Sequence, residues 1–428
     1  MNNKSSFLPL KTFSSNTTYK ILLISSILGF TINVLGVFCL TFIKDNILIF
    51  YNLDKLPNEQ KLNLISSLFN YQFLGIVFGC IYWGYLSDRI GRLKVLIYSG
   101  IIMVVGNLMS TTIAPSFDIF NMYRFITGFG LAGEVLVMVF ITESLSNEKR
   151  ASALSYITGC SMFSPVIYIA LFKVFPEVDW RIWLSSFSFL GLIVIILRLF
   201  LSESEIFLKN KNSPKSEKKQ INVLNFFFNK DRLKRFILAF LVGMPILSTI
   251  TTLITDSKIF AQAFDHIEDL DSKMTMLFFF AGYGIINFNN YKVVSYFKSY
   301  KKTFRLYLIF SIIFISIYIS PLNSSEISFY ILCFLIGLSG GYYGLVLNVS
   351  AMQFGTNIRG TAGSVFLNFL RGSIIIWSSL FGFLFHDSYF NLSIKTSLII
   401  TFTTLFILAI IGLYKMKELY GKNIDFNE

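Results

Sequence analysis

Apolar residues recur along this chain in unbroken blocks of about 20, separated by short stretches that carry nearly all the charge. A helix rising 1.5 Å per residue needs about 20 residues to cross ~30 Å of hydrocarbon, so each block reads as a membrane-crossing helix. Twelve spans are expected, at roughly 19–43, 62–86, 93–113, 119–142, 152–174, 181–201, 236–255, 273–291, 304–320, 327–354, 361–385 and 394–414. A transmembrane β-barrel would instead alternate in segments of about 10 residues. The one long polar stretch, Ser202 to Arg235, holds Lys209, Lys211, Lys215, Lys218 and Lys219 with Ser213-Pro214. It reads as a cytoplasmic linker, residues 202–235. It joins an N-terminal six-helix bundle, 1–201, to a C-terminal six-helix bundle with a cytoplasmic tail, 236–428.

An internal repeat supports two related halves. At one common offset Gly128, Arg150 and Ala153 fall on Gly337, Arg359 and Ala362. Composition agrees with a membrane protein: 54% of the 428 residues are hydrophobic and 14% charged, against about 25% charged in soluble domains. Cys39, Cys80, Cys160 and Cys333 lie inside apolar blocks with no paired spacing, and His266 and His386 fall in loops. No disulfide framework, metal site or cofactor is expected.

The net charge of +13 could mark a nucleic-acid binder. The bases instead follow topology. With both termini cytoplasmic, most of the 37 Lys and Arg fall on the cytoplasmic side, as the positive-inside rule requires. Residues Asp256 to Lys273, with Asp256, Asp265, Glu268, Asp269 and Asp271, are expected to form an acidic outer loop. The polar segment Met1 to Thr18 precedes a full-length span without a small-residue cleavage pattern, so no removable signal peptide is expected.

Four stretches carry more specific chemistry. Gly84-Tyr85-Leu86-Ser87-Asp88-Arg89-Ile90-Gly91-Arg92-Leu93-Lys94 packs glycines, one acid and several bases between spans 2 and 3. Such a loop can turn tightly and pin two helix ends by charge. Its counterpart, Asn290 to Thr303, keeps Lys292, Lys298, Lys301 and Lys302 but lacks the acid and the glycines. In span 4, Arg124 is followed by Gly128, Gly130, Gly133 and Glu134. Glu143 to Arg150 is a charge cluster echoed by Arg359-Gly360-Thr361-Ala362-Gly363. The fourth stretch, Ser202-Glu203-Ser204-Glu205-Ile206-Phe207, follows span 6, which Trp180-Arg181 and Trp183 introduce.

Together these stretches resemble the signatures of the major facilitator superfamily, and in particular its metabolite–proton symporter and phagosomal-transporter groups. The fourth looks like a Pro-Glu-Ser-Pro signature that has lost both prolines. The resemblance implies an all-α membrane protein with the major facilitator fold, twelve transmembrane helices in two pseudo-symmetric bundles. It implies a gating set of Gly84, Asp88, Arg89, Gly91, Arg92, Glu143, Arg150 and Arg359. Asp88 would face the positive end of the helix starting near Thr361. Glu143 and Arg150 would join Arg92 in an ion network that breaks when the inner gate opens. Interfacial anchoring is the simpler alternative for these charges.

Within the membrane, Glu134 is the one acid in an expected span, about 15 Å along the axis from Arg124. Both are candidates for proton coupling, with a paired structural glutamate and an interfacial arginine as the alternatives. Arg371 lies near the expected midplane of span 11, placed to pair with Glu134 or to bind a substrate carboxylate. Asn33, Tyr342, Tyr343, Asn348 and Asn368 are expected to line the substrate site, with Ser248, Thr249, Thr251 and Thr252 in span 7. Arg198 is expected to reach from the inner end of span 6 toward the interface. Many proton symporters of the superfamily carry an aspartate in helix 1. Asn33 cannot titrate, which leaves Glu134. Pro165 lacks the flanking glycines of the antiporter pattern in helix 5, which favours uptake over drug efflux.

The expectation is therefore a secondary transporter and not an enzyme, for no histidine–aspartate pair is expected at the surface, and no metal-ligand cluster or phosphate-cradling loop on the cytoplasmic side. Its partners would be a small-molecule substrate, protons and the lipid bilayer, with no nucleic acid. It would act as a monomer in a bacterial inner membrane, taking up an amino acid or small carboxylate. Export of a siderophore or drug-like compound by proton antiport is the alternative.

Overall fold

The computed structural model describes residues 15–145, 147–204, 207–208, 229–263, 270–320, 325–355, 359–386 and 389–422. In chain order the helices are α1 (Ser15–Phe50), α2 (Asn58–Ile90), α3 (Arg92–Thr112), α4 (Phe117–Glu134, resumed as Leu136–Ser144), α5 (Asn147–Val174) and α6 (Trp180–Leu199). There follow α7 (Lys230–Ser248, then a π-helical turn Thr249–Ile254 and Ser257–Ala263), α8 (Ser272–Phe297), α9 (Tyr300–Ile319), α10 (Glu326–Gly340, resumed as Tyr343–Met352), α11 (Arg359–Phe385) and α12 (Ile394–Lys415). Among the described residues, eleven are long and apolar enough to cross a membrane; the remaining helix, α8, is 26 residues long.

Side-chain oxygens set several helix starts. Ser116 accepts from the Ile119 amide, Asp179 from Arg181, and Asn229 from Asp231 and Arg232. Asp271, expected in an acidic loop, caps α8 by accepting from Lys273 and Met274.

Helices α1–α6 pack chiefly on one another, as do α7–α12, and the two groups meet along α2–α11 and α5–α8. Matching glycines set the closest crossings. A Cβ on Gly128 of α4 would sit 2.1 Å from the Gln72 carbonyl oxygen of α2, and one on Gly337 of α10 would sit 2.1 Å from that of Phe279 of α8. The repeated glycines thus do the same job in each half, bringing two backbones together where no side chain fits. The helix breaks repeat as well, at Val135 in α4 and at Gly341-Tyr342 in α10.

Two expected boundaries move. The stretch Gly84 to Lys94 is not a loop: α2 runs to Ile90, and Gly91 alone, at φ +108°, joins it to α3. Glycine is what makes a one-residue joint in that conformation possible. Asp256 is not in an outer loop either. Beyond its π-helical turn α7 continues, and Asp256 is 7% exposed. Helix α1 likewise extends to Phe50 and carries Lys44 inward to 3% exposure. The two charges bury together because they pair with each other.

We call the end of the molecule with the α2–α3 joint and the α6–α7 connection the linker end. The opposite end is the distal end.

Candidate functional site

Arg371 of α11 sits where the two groups of helices meet and is 2% exposed. Its Nη2 donates to Asn33 Oδ1 of α1 at 2.6 Å, and Asn33 Nδ2 donates to the Leu131 carbonyl of α4 at 2.8 Å. One turn earlier on α11, Asn368 donates to the Ala132 carbonyl at 3.2 Å. Two amides and one arginine therefore tie α11 to α1 and α4. Tyr343, the first residue after the break in α10, lies against the guanidinium, and Tyr283 of α8 is within its electrostatic reach. Arg371 Nη1 and the Tyr283 hydroxyl are buried without a hydrogen-bond partner among the described residues. A guanidinium with an unspent donor, facing neutral groups, is suited to an anionic oxygen.

The structure gathers Asn33, Tyr343 and Asn368 around Arg371 but not Tyr342 or Asn348, while Thr251 and Thr252 of α7 line a void beside Asp256. Tyr342 turns into its own bundle, where its hydroxyl donates to the Val242 carbonyl at 3.2 Å and its ring stacks on Tyr307. The break in α10 separates its direction from that of Tyr343. Asn348 is exposed, farther along the second segment of α10.

Glu134 does not pair with Arg371. It accepts a fork from Arg198 of α6, Nη1 to Oε1 at 2.6 Å and Nη2 to Oε2 at 2.7 Å. Arg198 Nη1 also donates to the Leu96 carbonyl of α3. Contrary to expectation Arg198 does not reach for the interface: it is 1% exposed. A carboxylate and a guanidinium are each costly to bury alone, and the fork satisfies both. Gly29 of α1 makes the room, since a Cβ there would lie 2.3 Å from Arg198 Nη2.

Arg124 is fully buried rather than interfacial. Neutral acceptors surround it: Gln72 Oε1 of α2, 3.1 Å from Nε, Asn107 Oδ1 of α3 at 2.7 Å and the Gly36 carbonyl of α1 at 3.4 Å. Gln72 Nε2 donates to the same Gly36 carbonyl. One guanidinium thus cross-links four helices. Sequence reasoning missed Gln72 and Asn107, although two amides inside apolar blocks were the signal.

At the linker end, Arg92 pairs with Glu143 at 3.2 Å and donates from Nη1 to the Ser87 carbonyl at 2.9 Å. Glu143 also accepts from Ser204 Oγ at 2.9 Å. Glu203, part of the fourth signature stretch but outside the expected gating set, accepts from the Leu93 amide at 3.1 Å and so caps α3 beside Gly91, where a Cβ would collide with its carboxylate. Burial pushes the Glu203 carboxyl above its ordinary range, against the opposing pull of the amides it accepts from. Gly84 is buried within α2, and Arg89 lies over the Tyr85 ring at 4.1 Å. The side chains of Asp88, Arg150 and Arg359 lie outside the described residues.

Similarity to known proteins fits this geometry. A Haemophilus influenzae protein with the provisional name metabolite transport protein is 29% identical over 157 residues, 35% of this chain and 37% of its own length. The multidrug resistance protein MdtL of Escherichia coli is 25% identical over 198 residues, 46% of this chain and 48% of its own. The chain spans between about a quarter and a half of the length of the curated relatives it matches. A crystal structure of a D-xylose–proton symporter shares the fold, with a TM-score of 0.70 at 14% identity over 95% of this chain and 100% of that one. The profile of the Major Facilitator Superfamily matches residues 21–379. With twelve helices, repeated glycine crossings and a buried arginine between two bundles, the chain belongs to the major facilitator superfamily of membrane transporters.

Proposed function

We propose that this protein is a secondary active transporter that takes up a small polar or anionic metabolite, an amino acid or small carboxylate, together with protons by alternating access. Arg371 carries the reading. It is buried at the junction of the bundles, bound to Asn33 of the opposite one, with Nη1 unspent among the described residues. A substrate carboxylate arriving there would compete for the guanidinium and loosen its hold on α1. Binding would then bias the rocking of two bundles about a central site. The relative named for metabolite transport is consistent with such a substrate.

Glu134 is the proposed coupling carboxylate. Protonation would release the Arg198 fork at the break in α4, a place where helix geometry can change. Arg124 supports the same bundle from its cage of amides. The linker end would face the cytoplasm of a bacterial inner membrane, with both termini on that side and the protein a monomer. There Arg92 and Glu143 would act with Gly84, Asp88, Arg89, Gly91, Arg150 and Arg359 as the inner gate. The MdtL similarity favours one second reading, export of a siderophore or drug-like compound by proton antiport.

The test is uptake by the full-length protein in liposomes under an imposed pH gradient. Radiolabelled amino acids, short carboxylates, sugars and nucleosides would be offered in turn. Gradient-dependent accumulation of a carboxylate-bearing solute, abolished by Arg371→Ala, is the expected result. Gradient-driven release of preloaded drug-like compounds, with no accumulation of any of these solutes, would establish the export reading instead.

A further inference from the structure

We infer that Lys44 and Asp256 form the latch that holds the distal end of the two bundles shut, the outer end in the proposed orientation. Lys44 lies on α1 and Asp256 just past the π-helical turn of α7, so the pair bridges the bundles. Lys44 Nζ donates to Asp256 Oδ1 and, at 2.6 Å, to the Thr255 carbonyl. Other contacts cross the same end. Lys173 of α5 pairs with Asp271 at 2.7 Å, Ser378 of α11 donates to Asn70 Oδ1 of α2, and Phe38 and Phe42 of α1 pack on Phe280 of α8.

Burial separates Lys44–Asp256 from the other ion pair crossing this end. Lys173 and Asp271 are substantially exposed, so water solvates them whether or not the ends part. Lys44 and Asp256 are each more than nine-tenths buried and reach water only when α1 and α7 move apart. While closed, each group answers the charge of the other. Parted, each is hydrated. The pair is therefore tolerable in two states, bound and shut or hydrated and open, and intolerable half-made. Beside Asp256 lies a void of about 20 Å³ between the bundles, lined in part by Ser66, Thr252 and Ser378. That is room for about one water, at the place where opening would first admit solvent.

The sign of each substitution follows. Neutralising one partner leaves the other charge buried and unanswered in the shut state, which favours opening. Replacing both with apolar residues of similar size removes that penalty and favours closure again. A pair acting only as one packing contact among several would make the double change at least as disruptive as either single one.

The experiment reads distances between spin labels in the full-length protein in lipid, with exposed Cys160 replaced by serine. Labels at Lys55 and Glu326 report the distal end, and labels at Lys94 and Tyr296 the linker end; all four positions are exposed. Lys44→Met alone and Asp256→Leu alone should each widen the distal distance and narrow the linker one. Lys44→Met with Asp256→Leu should return both to the parent values. Should a single variant fail to fold, the charge swap Lys44→Asp with Asp256→Lys decides in its place, a shut distal end being the expected result. Unchanged distances in the single variants, a double variant more open than either, widening without linker-end narrowing, or an open swap would each overturn the latch. No substrate is added, so the result stands apart from whether the proposed metabolite class is right.

Discussion

Arg198 and Glu134 form a two-point fork buried inside the first bundle, with the carboxylate on the last residue before α4 breaks. The guanidinium comes from the final turn of α6 and also holds the Leu96 carbonyl of α3. The charge of Glu134 is therefore met within its own bundle, and Arg371 remains available at the junction. Two arginines that the sequence could have assigned to one acid serve different ends, one closing a bundle and the other facing the interface.

Glu134→Gln should abolish accumulation driven by a pH gradient while leaving exchange of substrate across the membrane intact. It should also lower stability by about 3–5 kcal/mol, because Arg198 stays buried without its counter-charge. Transport in liposomes and thermal denaturation in detergent measure the two effects. Unchanged gradient-driven accumulation would remove Glu134 from coupling and leave it a structural partner of Arg198.

Arg371→Ala should weaken binding of a carboxylate substrate by about 2–5 kcal/mol, the range for truncating one partner of a buried charged hydrogen bond. Arg371→Lys should recover only part of that loss, since an ammonium cannot fork. Calorimetric titration with the transported solute checks both. Parent-like affinity in the alanine variant would mean that Arg371 serves only to join α11 to Asn33.

The outline of the fold was legible because apolar block length is dictated by bilayer thickness, and each of the twelve expected spans falls on a helix. Gly128 and Gly337 were legible as a repeat because close backbone crossings leave little choice of residue. Depth and partnership were not. Arg198 looked terminal by its position on α6, and nothing in a linear sequence reveals that Gly29 of α1 leaves a hole for its guanidinium. Lys44 and Asp256 each looked like a loop charge. Their mutual burial, 212 residues apart, lets both charges sit inside α1 and α7 where these run on past the expected ends. At the centre, Tyr342 and Tyr343 were indistinguishable as neighbours until the break in α10 sent one toward Val242 and the other toward Arg371.

Gly128→Ala and Gly337→Ala should be similarly damaging, each losing about 1–3 kcal/mol as overpacking against backbone that cannot yield. The obstructing atom is a carbonyl oxygen at 2.1 Å in both cases. Melting of the purified variants tests this. A marked difference between the two would show that the bundles are not equally tight at the equivalent crossing.

Glu203 lies outside the spans and supplies a pH dependence whose sign can be worked out. Burial raises its carboxyl pKa in the folded protein above the ordinary value of 4.5, so the folded state holds its proton to higher pH than the unfolded chain does. The neutral form is thus the better tolerated one at the α3 cap. Its stabilising effect is fully present below the unfolded pKa and is lost as pH rises through the folded one. Glu203→Gln keeps an oxygen for the Leu93 amide and carries no charge, so it should flatten this part of the stability profile without weakening the cap. Glu203→Ala should flatten it too but lose about 0.5–2 kcal/mol of capping. Melting temperatures measured from pH 4 upward separate these outcomes. A glutamine variant that keeps the parent's slope would place the titrating group elsewhere.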